Sequence, residues 1–190
     1  MKPMRLSDIA AATSGRLVGE DVQIAAVVTD TRSLASDAAG EALFIALKGE
    51  RFDGHDHVAT AAASGVAAAL VSREIDAPLA QVVVADTERA LAELAAAVQR
   101  DRTTRVAAVT GSNGKTSVKT LLLSILQCAG RAYANPGNRN NEIGLPLAVI
   151  AAPEDAQYAV YEMGAGKPGD IAYLTDIARP HVALVNNVAA

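Results

Sequence analysis

Apolar positions along this chain follow two periods. Short apolar runs bounded by Gly, Asp, Asn or Pro predict strands at residues 22–28, 42–47, 67–71, 81–85 and 158–163, in the run opening at Val106, and at residues 181–185. Between them the spacing turns helical. Ser7 can cap a short helix that carries Leu6, Ile9 and Ala10 inward, with Gly15 as its left-handed exit. Residues 57–64 predict a small-residue helix ending at Gly65, and Asp86 or Thr87 caps a helix built on Leu91, Leu94, Ala95 and Val98. Val118, Leu121, Leu122, Ile125 and Leu126 form one apolar helix face closed by Gly130. Asp170 caps a helix through Ile171, Leu174 and Ile177 that stops before Pro180. Alternating strands and helices predict an α/β fold, with parallel right-handed βαβ units in the second half.

The polar joint Asp101-Arg-Thr-Thr-Arg105 places a domain boundary near residue 103, giving domains 1–103 and 104–190. The second half ends at Asn186-Asn-Val-Ala-Ala190 without a further helix. Three strands make a small nucleotide domain, so the chain is expected to be cut short.

Composition narrows the function classes. Net charge is -4 with no block of like charge, whereas duplex nucleic acid needs a basic face, so no nucleic-acid role is expected. Half of the residues are hydrophobic but only 3% aromatic, so the core must be Ala, Val, Leu and Ile. Cys128, the single cysteine, permits no internal disulfide and fits a reducing compartment; it is expected to pack rather than react. The N-terminus lacks a signal-peptide core, and no apolar run approaches the ~18 residues of a membrane span. A soluble, cytoplasmic, monomeric protein is expected.

The chemistry centres on Val106-Ala-Ala-Val-Thr-Gly-Ser-Asn-Gly-Lys-Thr-Ser117, where a strand enters a glycine-bracketed turn and a helix begins. Such a turn points successive backbone N–H groups into one concavity at a helix N-terminus, where the dipole also favours an anion. Lys115 would meet the outer phosphates, and the Thr116 hydroxyl would reach a magnesium ion. The loop is shortened, because Val109 stands where the general pattern has its first glycine. Glu162 closes a strand and could complete the magnesium shell, or pair with a basic surface group.

Other clusters stay open. Thr29-Asp-Thr-Arg32 suits a phosphorylated ligand, or Asp30 simply turns the chain and pairs with Arg32 on the surface. Lys48-Gly-Glu-Arg-Phe-Asp-Gly-His55 is too charged for a plain hairpin; it reads as a ligand loop or a solvated connection, after a loop with Asp37 and Gly40. His55 and His57 have no partners at zinc spacing, and His181 is expected to be structural. Asn135-Pro-Gly-Asn-Arg-Asn-Asn-Glu-Ile-Gly-Leu-Pro146 is a hydrogen-bonding loop or a long turn before residues 143–150.

Five of these motifs, in order, resemble the Mur ligases, the ATP-dependent enzymes that build the peptide stem of bacterial peptidoglycan. They are Asp30-Thr-Arg32 with residues 43–55, Thr110 to Thr116, Asn138 to Pro146, Glu162-Met-Gly-Ala, and Asn186-Asn-Val. The resemblance covers nearly the whole chain and accounts for the shortened loop. It implies a small α/β domain that holds the UDP end of the substrate, followed by a truncated parallel-sheet P-loop domain for ATP. The implied reaction joins D-alanyl-D-alanine to UDP-N-acetylmuramoyl-tripeptide through an acyl phosphate. Addition of the third stem residue, folylpolyglutamate synthesis and a non-catalytic UDP-sugar-binding module are the alternatives.

By the same resemblance, Gly111, Ser112, Asn113, Gly114 and Ser117 belong to the phosphate loop with the catalytic Lys115, and Thr116 with Glu162 holds Mg2+. Thr31, Arg32, Lys48, Gly49, Phe52, Asp53, Gly54 and His55 would hold the uridine and diphosphate. Asn138, Asn140 and Asn141 would meet the muramoyl peptide. The family's second-metal histidine, carbamylated lysine, adenine-binding residues and C-terminal domain have no counterpart in these residues, so the chain by itself is expected not to turn over.

Overall fold

A computed structural model describes residues 1–33, 40–50 and 52–189. Asp37 and Arg51, which belong to the two polar loops of the first half, lie outside the described residues. The chain forms two compact units, Met1–Leu94 and Ala95–Ala190. Sequence places the boundary near residue 103, at the polar joint; the compact division falls inside the preceding helix, whose N-terminal turns belong to the first unit.

In the first unit, β1 (Met4–Arg5) leads directly into α1 (Leu6–Ala12), followed by β2 (Arg16–Val18), β3 (Gln23–Ile24), β4 (Ala26–Val28) and β5 (Ala42–Ile45). Then come α2 (Val58–Ala63), β6 (Ala68–Val71), β7 (Ala80–Val83) and α3 (Thr87–Arg100). The predicted strand over 22–28 is split. β3 pairs antiparallel with β1, while β4 enters a five-stranded sheet of order β2-β7-β6-β5-β4. β4 to β7 run parallel and β2 is antiparallel to β7. β5 and β6 are buried at every position, which is why both read as continuous apolar runs rather than alternating ones. Phe44, Ala69 and Val71 pack with Val58 and Ala61 of α2 in an aromatic-poor core.

Two local expectations are corrected here. Ser7 lies inside α1 instead of capping it: its N–H and hydroxyl both donate to the Asp21 carboxylate at 2.9 Å. The left-handed residue after α1 is Ser14 (φ 52), not Gly15. Gly15 is required by packing, because a Cβ there would lie 2.6 Å from Val82 Cγ1. Asp86 caps α3 as expected, accepting the N–H groups of Glu88 and Arg89.

The second unit contains β8 (Arg105–Thr110), α4 (Lys115–Gln127), β9 (Ala132–Ala134), α5 (Gly144–Ala151), β10 (Tyr158–Glu162), α6 (Asp170–Ala178) and β11 (Val182–Val185). Its sheet has four parallel strands in the order β11-β8-β10-β9. The three residues of β9 are too short a run to announce a strand. Because β10 lies between β8 and β9, Glu162 pairs in register with Val109, and the loop after β8 comes beside the end of β10. Asp170 opens α6 but accepts from the preceding Gly166 and Lys167 amides, so it ties the turn rather than capping the helix. Cys128 is exposed rather than packed.

The predicted apolar face of α4 is not its buried face. Leu121 and Ile125 are each 65% exposed, and among the described residues of α4 the buried one is Lys119, at 5%. No described helix is long and apolar enough to cross a membrane.

Candidate functional site

Two glycines shape the turn between β8 and α4. Gly111 (φ 138) and Gly114 (φ 76) hold conformations that side chains disfavour. A Cβ on Gly114 would also meet Asn186 Nδ2 at 2.6 Å. α4 begins with no side-chain cap, so its first amides have no intrahelical acceptor and its dipole favours an anion. Lys115 Nζ donates to Gly111 O at 2.6 Å and, longer, to Ser112 O at 3.5 Å. The segment after β11 supports the turn. Ser112 N–H donates to Asn187 O (3.0 Å), Asn113 N–H to Asn187 Oδ1 (2.9 Å), and Asn186 Nδ2 to Asn113 O (2.6 Å). Two amides of the expected cradle are therefore engaged by Asn187, and the amides that open α4 are left to face an anion.

Glu162, at the C-terminal end of β10, is 3% exposed and surrounded by donors. Thr116 Oγ1 donates to Oε2 at 2.9 Å, Asn140 Nδ2 to Oε1 at 2.9 Å, and Lys119 Nζ stands 3.3 Å from Oε2. Burial works to raise the carboxyl's pKa; the hydrogen bonds from Asn140 and Thr116 and the Lys119 charge outweigh it and leave the group below its ordinary value. Glu162 thus pairs with a buried lysine, not with a surface group. Asn135 fastens the same strand end: its Oδ1 accepts Glu162 N–H at 2.9 Å and its Nδ2 donates to Glu162 O at 3.2 Å.

The asparagine loop divides its residues among different tasks. Asn140 reaches Glu162 and, with Asn141, lines a cleft of about 440 Å³ beside Lys115, Lys167 and Tyr173. Asn141 Oδ1 accepts Gly144 N–H at 2.7 Å at the start of α5. Asn138 is exposed and lines a separate cleft of about 540 Å³ with Thr116, Lys119 and Asn135.

The candidate residues of the first unit also separate. Thr31, Arg32 and Phe52 line a cleft of about 760 Å³ together with Thr29, Phe44 and His57. Phe52, 50% exposed, stacks on His57 with centroids 5.0 Å apart. Arg32 forms a bidentate pair with Asp30, at 3.0 and 2.7 Å, as in the surface-pair reading. Lys48 bridges Asp53 antiparallel and Gly49 N–H donates to Phe52 O, so the charged run does make a tight hairpin-like turn. A Cβ on Gly54 would lie 2.8 Å from the backbone of Ala46 and Leu47, which accounts for that glycine by packing.

His55 is buried. Its Nδ1 lies 2.5 Å from Asp53 Oδ1 and its Nε2 accepts Ser72 N–H at 2.8 Å, which fixes the ring and ties the turn to the end of β6. The backbone N–H and ring of His55 hold the Asp53 carboxyl down to about 2. A depressed carboxyl stabilises the fold above its unfolded pKa, and that contribution is lost as the pH falls through the folded value. Thermal stability is therefore expected to fall as the pH drops from 3.8 to about 2. Asp53→Asn should lower the melting temperature at neutral pH and make that acid dependence shallower; an unchanged acid profile would remove Asp53 from the argument.

Sequence reasoning missed Lys119, and it named Asn135, Asn187 and His57 without giving them a place in the site. Lys119 carried a faint signal in standing one helical turn after Lys115, on the same face.

Residues 109–190 match the Mur ligase middle domain, and residues 23–101 match the catalytic domain of the Mur ligase family. The chain is 45% identical over 190 residues to the UDP-N-acetylmuramoyl-tripeptide–D-alanyl-D-alanine ligase of Escherichia coli K12, covering all of this chain and 41% of that protein. Identity to the Bacillus subtilis enzyme of the same name is 43% over 189 residues, covering 96% of this chain and 40% of that protein. MurF from Acinetobacter baumannii superposes with a TM-score of 0.89 at 40% identity, over 96% of this chain and 40% of that one. MurF from Thermotoga maritima, solved in complex with ADP, gives 0.76 at 35% identity, over 85% and 37%. The chain spans about two-fifths of the length of these relatives.

Proposed function

Since the chain belongs to the Mur ligase family, we propose that it forms the front part of an ATP-dependent amide ligase that joins D-alanyl-D-alanine to UDP-N-acetylmuramoyl-tripeptide. One observation carries the reading. Thr116, on the first turn of the helix behind the glycine loop, meets the buried Glu162 carboxylate at 2.9 Å at the carboxyl ends of the parallel strands, where ligands of open α/β sheets gather. In this reading residues 1–103 hold the UDP end of the substrate and residues 104–190 hold the phosphates of ATP, in a monomeric cytoplasmic enzyme.

A free carboxylate is a poor acyl donor. Transfer of the outer phosphoryl group of ATP to the tripeptide's terminal carboxylate gives an acyl phosphate, whose carbonyl carbon is attacked by the amine of D-alanyl-D-alanine. The new amide forms as the C–O bond to phosphate breaks, the amine loses a proton, and ADP and phosphate are the by-products. The chain's part is positioning and charge neutralisation. The amides opening α4 hold the phosphates, Lys115 steadies the phosphoryl group in flight, and Asn140 reaches from the asparagine loop to the Glu162 carboxylate.

The Thr116 and Glu162 oxygens are hard donors suited to magnesium. Among the described residues no cluster of three or more His, Cys, Asp or Glu gathers to hold a metal, which fits an ion completed by phosphate oxygens and water. When bound there, it would neutralise charge on the transferring phosphate. Names of the relatives support the substrates, and the ADP in the Thermotoga maritima structure supports the nucleotide.

The testing experiment is a calorimetric titration of this chain with UDP-N-acetylmuramoyl-tripeptide against UDP alone, after a cooperative melt has shown it folded. The tripeptide substrate is expected to bind more tightly than UDP. Phe52→Ala, which removes the exposed ring above His57, is expected to weaken both by about 1–3 kcal/mol, the worth of a base–aromatic stack. No binding by a folded chain would overturn the substrate assignment.

A further inference from the structure

Lys119 is a buried lysine with no part in the reaction outlined above. Its side chain is 7% exposed, and its three N–H donors meet three acceptors: Asn135 O at 3.0 Å, Gly137 O at 2.9 Å and Glu162 Oε2 at 3.3 Å. The last is the oxygen that also accepts from Thr116. Every donor is satisfied, so the ammonium has no reason to leave, and its charge cancels that of Glu162 in a place screened from water.

We propose that Lys119 is a positioning residue and resident counter-charge that makes divalent-cation binding at Glu162 conditional on the nucleotide. This rests on the reading of Glu162 as a metal carboxylate. A free divalent cation approaching Oε2 finds the carboxylate already neutralised and meets a fixed positive charge 3.3 Å from the same oxygen. Like charge at such range, little screened, opposes binding strongly. The triphosphate, delivered to the amides opening α4, supplies the extra negative charge that tips the balance, so metal and nucleotide enter together. The two backbone bonds from Lys119 also tie the Asn135–Gly137 turn to α4, which places the asparagine loop relative to the phosphate loop.

The test is Mn2+ binding by the full chain, followed by electron paramagnetic resonance, with and without ATP. Wild type is expected to hold Mn2+ in the presence of ATP and not in its absence, and Glu162→Gln to hold it in neither. Lys119→Met, and Lys119→Gln, which keeps N–H donors for the loop carbonyls, are expected to bind Mn2+ without nucleotide about tenfold to a thousandfold more tightly than wild type, as a neighbouring unit charge allows. Lys119→Arg, which keeps the charge, should behave as wild type. A lysine with only a structural role would give weaker binding in these variants, not stronger, and so would partial unfolding. Wild type that binds Mn2+ at Glu162 equally well without ATP overturns the proposal whatever the variants do, as do folded neutral variants no tighter than wild type. Failure of wild type to hold Mn2+ even with ATP sinks the Glu162 metal reading itself, and the proposal with it.

Discussion

Lys115→Ala, in a chain of the relatives' full length, is expected to slow phosphoryl transfer by about a thousandfold or more while leaving the melting temperature nearly unchanged. The charge it removes acts where negative charge moves between oxygens, and single preorganised donors in such sites are worth about 10²–10³ in rate, with cationic groups on a phosphoryl transition state reaching higher. Stability should not follow, because Lys115 is only half-buried and its ammonium donates to Gly111 O and Ser112 O, carbonyls of a turn also held by Asn186 and Asn187. Lys115→Arg should rescue little, since a planar guanidinium cannot take the place of a compact ammonium in so tight a turn. The measurement is single-turnover ADP release with all three substrates. A loss under about tenfold would reduce the glycine loop to a structural turn.

The parts of this arrangement that could be read in the sequence are those carried by local signals. Fully buried strands announce themselves as apolar runs, and the glycine-bracketed turn is visible because φ values of 138 and 76 select for glycine. Contacts across the sheet have no such signature. Nothing in the spacing of α4 says that Lys119 turns inward while Leu121 and Ile125 face out, since an apolar stripe normally marks the buried side. That inversion depends on Glu162, 43 positions later, reaching the same level through the pairing of β10 with β8. Asn187 is equally distant from the amides it engages. In the first unit the motif that suggests a ligand loop mixes two roles: Phe52 faces a cleft, whereas His55 and Gly54 serve the turn that presents it. Resemblance groups such residues because they adjoin in sequence, and only the fold separates those that can touch a ligand from those that hold the others in place.

Glu162→Gln is expected to be the most damaging single change in the second unit, abolishing turnover and costing about 3–5 kcal/mol of stability. The amide oxygen can still accept from Asn140, but its NH2 group then faces the Lys119 ammonium, leaving a buried positive charge with a donor in place of its counter-ion. Removing one member of a buried pair is the costly operation, whereas removing both is often nearly neutral. The double variant Glu162→Gln/Lys119→Met is therefore expected to recover most of the lost stability and none of the activity. Acid should mimic the single change. The carboxyl sits below its ordinary value of 4.5, so the pair stabilises the fold above that pH, and the contribution disappears as the pH falls through the lowered value. Urea denaturation of the two variants beside wild type, set against ADP release in a chain of the relatives' full length, separates the two roles of the carboxylate. Recovery of activity along with stability would mean that Glu162 serves the fold and nothing else. A stable but inactive double variant leaves the carboxylate with a role in the chemistry that no packing argument replaces.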